Sequence, residues 1–95
     1  ITLLESKTEQ LAHPAASPDG RRIAFTMGPS YDSQDIYIAD TNKGNPRRIT
    51  NDGASIAGLS WTPDGRELVF SSKRTGLFTL WRISAEGGAP RLEIG

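Results

Sequence analysis

The sequence predicts an all-β chain made of two copies of one four-stranded unit, and three observations carry that prediction. Ser17-Pro18-Asp19-Gly20-Arg21 returns forty-five positions later as Thr62-Pro63-Asp64-Gly65-Arg66. Its surroundings return with it. Ile23-Ala24-Phe25 is answered by Leu68-Val69-Phe70, Ile36-Tyr37 by Leu80-Trp81, and Gly44-Asn45-Pro46-Arg47 by Gly88-Ala89-Pro90-Arg91. The last two matches are offset by one residue fewer, so the second copy is shorter between Phe70 and Leu80. Finally, ten Gly and six Pro punctuate the chain, and no segment of ten or more residues shows a helical period. A period of about 45 residues is the mark of stacked supersecondary units.

The two matched stretches are turns. Pro presets φ at the second position, Asp hydrogen-bonds nearby backbone, and Gly accepts positive φ. Apolar runs flank each copy, as in a hairpin with a short loop. In chain order, Ile1-Thr2-Leu3-Leu4 is a β-prone run placed as the outer strand of a preceding unit, over residues 1–5. The first unit covers residues 6–50, with strands at Leu11–Ala16, Arg22–Thr26, Asp35–Asp40 and Pro46–Thr50. Pro14 makes its first strand irregular, and Gly28–Gln34 reads as a loop rich in turn residues. The second unit covers residues 51–95, with strands at Ser55–Trp61, Glu67–Ser71, Leu77–Ile83 and Arg91–Ile94. Four short antiparallel strands in about 45 residues describe a β-propeller blade. The expected architecture is two four-stranded antiparallel sheets, with the ring completed by oligomerisation or by a longer parent chain.

Composition bounds function more than it reveals it. Eleven basic and eleven acidic residues give a net charge of zero, so no field is set up for nucleic acid or an anionic membrane, and neither is expected as a partner. No apolar run reaches the length of a membrane span or a signal-peptide core. Cysteine is absent, which leaves the compartment open between periplasm and cytoplasm. The chain opens on Ile rather than Met, so it is expected to be processed or cut from something longer.

On these residues the chain resembles two blades of a TolB-type, WD-like β-propeller. Blades of that family carry a Ser-Pro-Asp-Gly-Arg turn, an Ile-Ala-Phe-type strand, an Ile-Tyr or Leu-Trp strand and a closing Gly-Gly-x-Pro-Arg-x-Leu-Thr. The matches are Ser17 to Phe25, Ile36-Tyr37 and Gly44 to Thr50 in the first unit. In the second they are Trp61 to Ser72, Leu80-Trp81 and Gly87 to Leu92. Ala16 departs from the pattern where the second unit has Trp61, and Leu92-Glu93-Ile94 lacks the closing Thr. The resemblance implies roles as interaction platforms, peptidase gates or sensor domains, with a protein or peptide as the partner in a parent protein.

Three groups of residues are singled out. Pro18, Asp19, Gly20, Pro63, Asp64 and Gly65 are structural turn residues. Phe25, Tyr37, Trp61, Phe70 and Trp81 are expected to pack between blades. His13, Tyr31, Asp32, Asp35, Asn51, Asp52, Lys73 and Arg74 form a candidate ligand face, because the longer loops gather at the end of the blades opposite the Pro-Asp-Gly turns. Catalysis is not expected: His13 is the single histidine, and Gly58-Leu59-Ser60-Trp61-Thr62 fails as a nucleophile elbow at its last position. Asp32, Asp35 and Asp52 match no calcium loop, so no metal or cofactor is assigned.

The functional expectation is a non-enzymatic fragment that associates with copies of itself. A blade has two apolar faces, and two blades cover only one each. Three copies would give six blades and four copies eight, in a cyclic head-to-tail arrangement; the trimer is favoured and the tetramer next. Ile1–Leu4 and Arg91–Ile94 would then compete for the same outer position. The alternative is a cut-out of a protein- or peptide-binding propeller, or of one gating a peptidase.

Overall fold

A computed structural model describes residues 10–42 and 44–93. Eight strands run in chain order: β1 (Gln10–Ala16), β2 (Arg22–Ser30), β3 (Ser33–Asp40), β4 (Arg47–Arg48), β5 (Ile56–Trp61), β6 (Glu67–Ser72), β7 (Thr79–Ser84) and β8 (Arg91–Leu92). They form two antiparallel sheets, each with its strands in sequence order, β1-β2-β3-β4 and β5-β6-β7-β8. The strand expected over Ile1–Leu4 lies outside the described residues, as does Ile94 at the end of the last expected strand.

The repeated turns are built alike. Asp19 accepts the Ser17 hydroxyl at 2.6 Å and the Arg21 amide at 3.0 Å. Asp64 accepts the Thr62 hydroxyl and the Arg66 amide at the same two distances. Gly20 and Gly65 close the loops at φ of 73° and 72°. Replacing Gly20 with Val is expected to cost about 1–3 kcal/mol, because a β-branched residue is then held at positive φ; a thermal melt matching the parent would contradict this.

Three expected boundaries shift. Gly28–Gln34 is largely ladder rather than loop: Ser30 pairs with Ser33, leaving Tyr31-Asp32 as the tip. Glycine permits this, since a Cβ on Gly28 would lie 1.8 Å from the Ser33 carbonyl oxygen. The β4 and β8 strands are only two residues long, each extended by one bond: Ile49 N to Ile36 O at 2.8 Å, and Glu93 N to Leu80 O at 3.0 Å. The third strand of the second unit starts at Thr79, not Leu77, and leaves Leu77 and Phe78 exposed outside it.

Pro14 does mark an irregular strand. His13 and Pro14 both lie opposite one partner position, between Ala12↔Thr26 and Ala15↔Ala24, and His13 takes φ 53°. Such a bulge re-aims a side chain. Here the His13 ring donates from Nε2 to the Ile56 carbonyl at 3.0 Å, joining the two sheets at their inner strands. Ala57 forms the matching bulge in β5, between Ile56↔Ser72 and Gly58↔Ser71.

The core lies between the sheets. Ala24, Ile36, Ile38 and Ile49 of the first pack with Ile56, Leu68, Phe70, Ile83 and Ala85 of the second, and Leu59, Trp61 and Trp81 pack against that cluster. Alternation along each strand explains the choice, since residues two apart share a face. Polar ties edge the core. Trp61 Nε1 donates to Ala15 O at 2.8 Å, Arg22 Nη2 to Gly65 O at 3.1 Å and Arg47 Nη2 to Ala85 O at 3.0 Å. The Arg22 guanidinium stacks over the Trp61 ring at 5.0 Å.

Of the five aromatics expected between blades, Trp61, Phe70 and Trp81 therefore join the contact between these sheets. Phe25 and Tyr37 stack on one another at 5.9 Å on the opposite face of the first sheet. None of the described strands packs on that face.

Candidate ligand cleft at the loop end

Backbone bonds sort the loops into two ends. Thr41 N to Arg21 O and Ala85 N to Arg66 O hold the β3 and β7 exits beside the Pro-Asp-Gly turns. Gln34 N to Ala54 O and Lys73 N to Ser55 O, both 3.0 Å, tie the connecting segment to the other end. There a cleft of about 560 Å³ opens, lined by Asp32, Asp52, Gly53, Ala54, Ser55, Lys73 and Arg74.

Its charged residues are of both signs. Arg74 Nε meets Asp52 Oδ2 at 3.2 Å, and its guanidinium lies 4.6 Å over the Trp81 ring. Arg74 Nη1 is enclosed with no hydrogen-bond partner among the described residues. Lys73 Nζ sits 5.7 Å over the Phe78 ring, an arrangement worth about 0.5–1 kcal/mol at an exposed site. Asp32 stands exposed at the β2–β3 tip. Among the described residues, no group of three or more His, Cys, Asp and Glu is placed to hold a metal ion. The arrangement suits a polar segment carrying both signs of charge.

Four of the eight residues assigned to a ligand face thus meet at one cleft: Asp32, Asp52, Lys73 and Arg74. Asn51 and Asp52 line a neighbouring cleft of about 290 Å³ with Arg48, Ile49, Thr50, Gly88 and Pro90. Asp35 is spent on structure, accepting from Thr50 Oγ1 at 3.0 Å and Gly53 N at 3.1 Å. His13 is spent on Ile56. Tyr31, 59% exposed at the β2–β3 tip, lines neither cleft.

The turn end carries a third cleft, about 460 Å³, between the two Pro-Asp-Gly turns. Hydroxyl and amide hydrogen bonds hold the Asp19 and Asp64 carboxyls below their ordinary pKa. A carboxyl whose folded pKa is depressed adds stability above its unfolded value and loses it as pH falls through the folded value. Thermal stability is therefore expected to drop as pH is taken below about 4. A double Asp19→Asn, Asp64→Asn variant should show a shallower drop than the parent; equal slopes would contradict the assignment.

One cluster was not anticipated from the sequence. Arg82 donates from Nε and Nη2 to the two Glu93 oxygens at 2.9 and 2.7 Å, and from Nη1 to Glu67 at 3.0 Å. Arg91 reaches the other Glu67 oxygen at 2.7 Å. Both carboxyls are held below their ordinary range, chiefly by the Arg82 hydrogen bonds, and Arg82 is raised. The repeat contained the signal: Arg82 and Glu93 occupy the places of Ile38 and Ile49.

The two four-stranded meanders with matched turns are accompanied by a family match: the model described as the TolB beta propeller domain covers residues 2–93. The chain belongs to the TolB β-propeller family. It is 35% identical over 76 residues to the Tol-Pal system protein TolB of Alcanivorax borkumensis, covering 80% of this chain and 18% of that one. It is 34% identical over 56 residues to an uncharacterized peptidase, YuxL, of Bacillus subtilis, covering 59% of this chain and 8% of that one. Among solved structures, a putative TolB from Agrobacterium tumefaciens superposes with a TM-score of 0.75 at 28% identity, over 100% of this chain and 32% of that one. The chain spans about a quarter or less of the length of the curated relatives it matches.

Proposed function

We propose that this TolB-type segment is a non-enzymatic pair of blades that associates with copies of itself into a closed propeller ring. Three copies supply six blades and four supply eight, with the trimer favoured. One comparison carries the reading. Ile36 is 0% exposed beneath the second sheet, whereas Leu80, at the same place in the repeat, is 51% exposed. Leu77 at 76% and Phe78 at 47% are exposed just ahead of it. An exposed sheet face of this kind gains by being covered.

A Leu80→Asp variant tests this. Sedimentation should find the parent associated and the variant shifted to a single chain, because a carboxylate cannot be buried unpaired at that place. Identical sedimentation of both would reject the reading.

A second reading is favoured by the lengths of the relatives. Further blades of a longer parent would cover the same face, and the chain would then be part of a protein- or peptide-binding platform or of a propeller gating a peptidase. In that case the loop-end cleft between Asp32 and Lys73 is the part offered to the ligand, and the isolated parent chain sediments as a monomer.

A further inference from the structure

The two sheets fasten their short outer strands by different means. For β4 the backbone supplies the pairs Tyr37↔Arg48 and Ile38↔Arg47, closed by the bond from Ile49 N to Ile36 O. For β8 it supplies Trp81↔Leu92 and Arg82↔Arg91, closed by the bond from Glu93 N to Leu80 O. The backbone therefore holds both strands alike. A strand held by so few bonds opens locally unless its side chains keep it in place.

In the first sheet those side chains are tied into the core. Ile38 and Ile49 are buried in the cluster between the sheets. Arg47 Nη2 bonds to Ala85 O of the other sheet, and just past the strand Thr50 Oγ1 accepts from Ile36 N at 2.9 Å. At the four corresponding places the second unit carries Arg82, Glu93, Arg91 and Ile94. There the fastening is ionic. Arg82 on β7 grips both Glu93 oxygens, and Arg91 on β8 reaches Glu67 at the start of β6, which Arg82 also holds. Glu67, Arg82 and Glu93 are partly open to solvent, and Arg91 is exposed. Added salt does not loosen a buried apolar contact. It does weaken ion pairs open to solvent, because the Debye length contracts from about 10 Å at 0.1 M to about 3 Å at 1 M.

We propose that β8 is a releasable outer strand, latched to its sheet by the Arg82–Glu93 and Arg91–Glu67 pairs, with a hold that depends on ionic strength. The β4 strand, fastened by isoleucine, stays closed under the same conditions. Release breaks the bond from Glu93 N to Leu80 O and the pairing at Trp81 and Arg82, so β7 becomes the edge of the sheet. A bare edge accepts another strand. The latch thus decides whether the outer place in this sheet is filled by its own strand or open to exchange.

Amide hydrogen exchange of the full chain, resolved at Glu93 and Ile49, tests this at a concentration where light scattering gives one mass in both salts. Between about 0.05 M and about 1 M sodium chloride, exchange at Glu93 should accelerate about three- to tenfold relative to Ile49. A double Arg82→Ile, Glu93→Ile variant gives the second sheet the pair found in the first. Its amide at position 93 should then respond to salt no more than that of Ile49. A Glu93 amide that exchanges freely at low salt, or keeps a constant ratio to Ile49, would overturn the latch. A salt response that survives in the double variant would overturn it too, since the response would then belong to the strand and not to the ion pairs.

Discussion

Replacing Phe70 with alanine is expected to lower the unfolding free energy by about 3–5 kcal/mol, the range for deleting a large aromatic from a core. Phe70 is 2% exposed and pairs with Trp81 across β6 and β7. It packs with Ile36, Ile38 and Ala24 of the other sheet, so the loss strikes the contact that joins the two blades as well as the sheet it belongs to. Denaturant unfolding measures it. A loss below about 1 kcal/mol would place Phe70 at the surface rather than at the interface.

Gly28→Val is the second large effect, expected to cost about 3 kcal/mol or more. The first carbon added to Gly28 would lie 1.8 Å from the Ser33 oxygen and 2.8 Å from the Ser33 carbonyl carbon, both backbone atoms that no rotamer change can move. The strands must part there, and the Gln34 side chain loses its place. Gln34 Nε2 donates to Gln10 O at 3.1 Å and Ser30 O at 2.8 Å, tying the hairpin to β1. Amide exchange should therefore accelerate across Ser30–Gln34 in the variant, alongside a lower melting temperature. An unchanged melt would mean the hairpin is open, as its composition alone suggests.

That hairpin shows where reading the sequence falls short. Gly-Pro-Ser-Tyr-Asp-Ser-Gln has the composition of a loop, and no local preference in it favours a ladder. Pairing is imposed by partners distant in sequence, through the Gln34 amide and the Ala54 carbonyl. The Pro-Asp-Gly turns were legible for the opposite reason, because each residue fixes its own dihedral or hydrogen bond locally. Phe25 and Phe70 mark a third case. They hold the same place in the repeat, yet only Phe70 meets the other sheet, since which face is covered depends on the neighbouring blade and not on the strand itself.

The candidate cleft was legible in part. Loop placement alone brings Asp32, Asp52, Lys73 and Arg74 to one end. It does not reveal that Asp35 is consumed by Thr50 and Gly53, or that a bulge turns His13 toward Ile56. The Arg82–Glu67–Glu93 cluster was within reach, because charged residues at two places where the other copy carries buried isoleucine are a departure visible in the repeat.

The mass of the folded chain in native mass spectrometry is the most direct test of the central claim. A discrete species of three copies of the 10.3 kDa chain is expected, with four copies as the next ring size. A folded species that remains a single 10.3 kDa chain at all concentrations would contradict it.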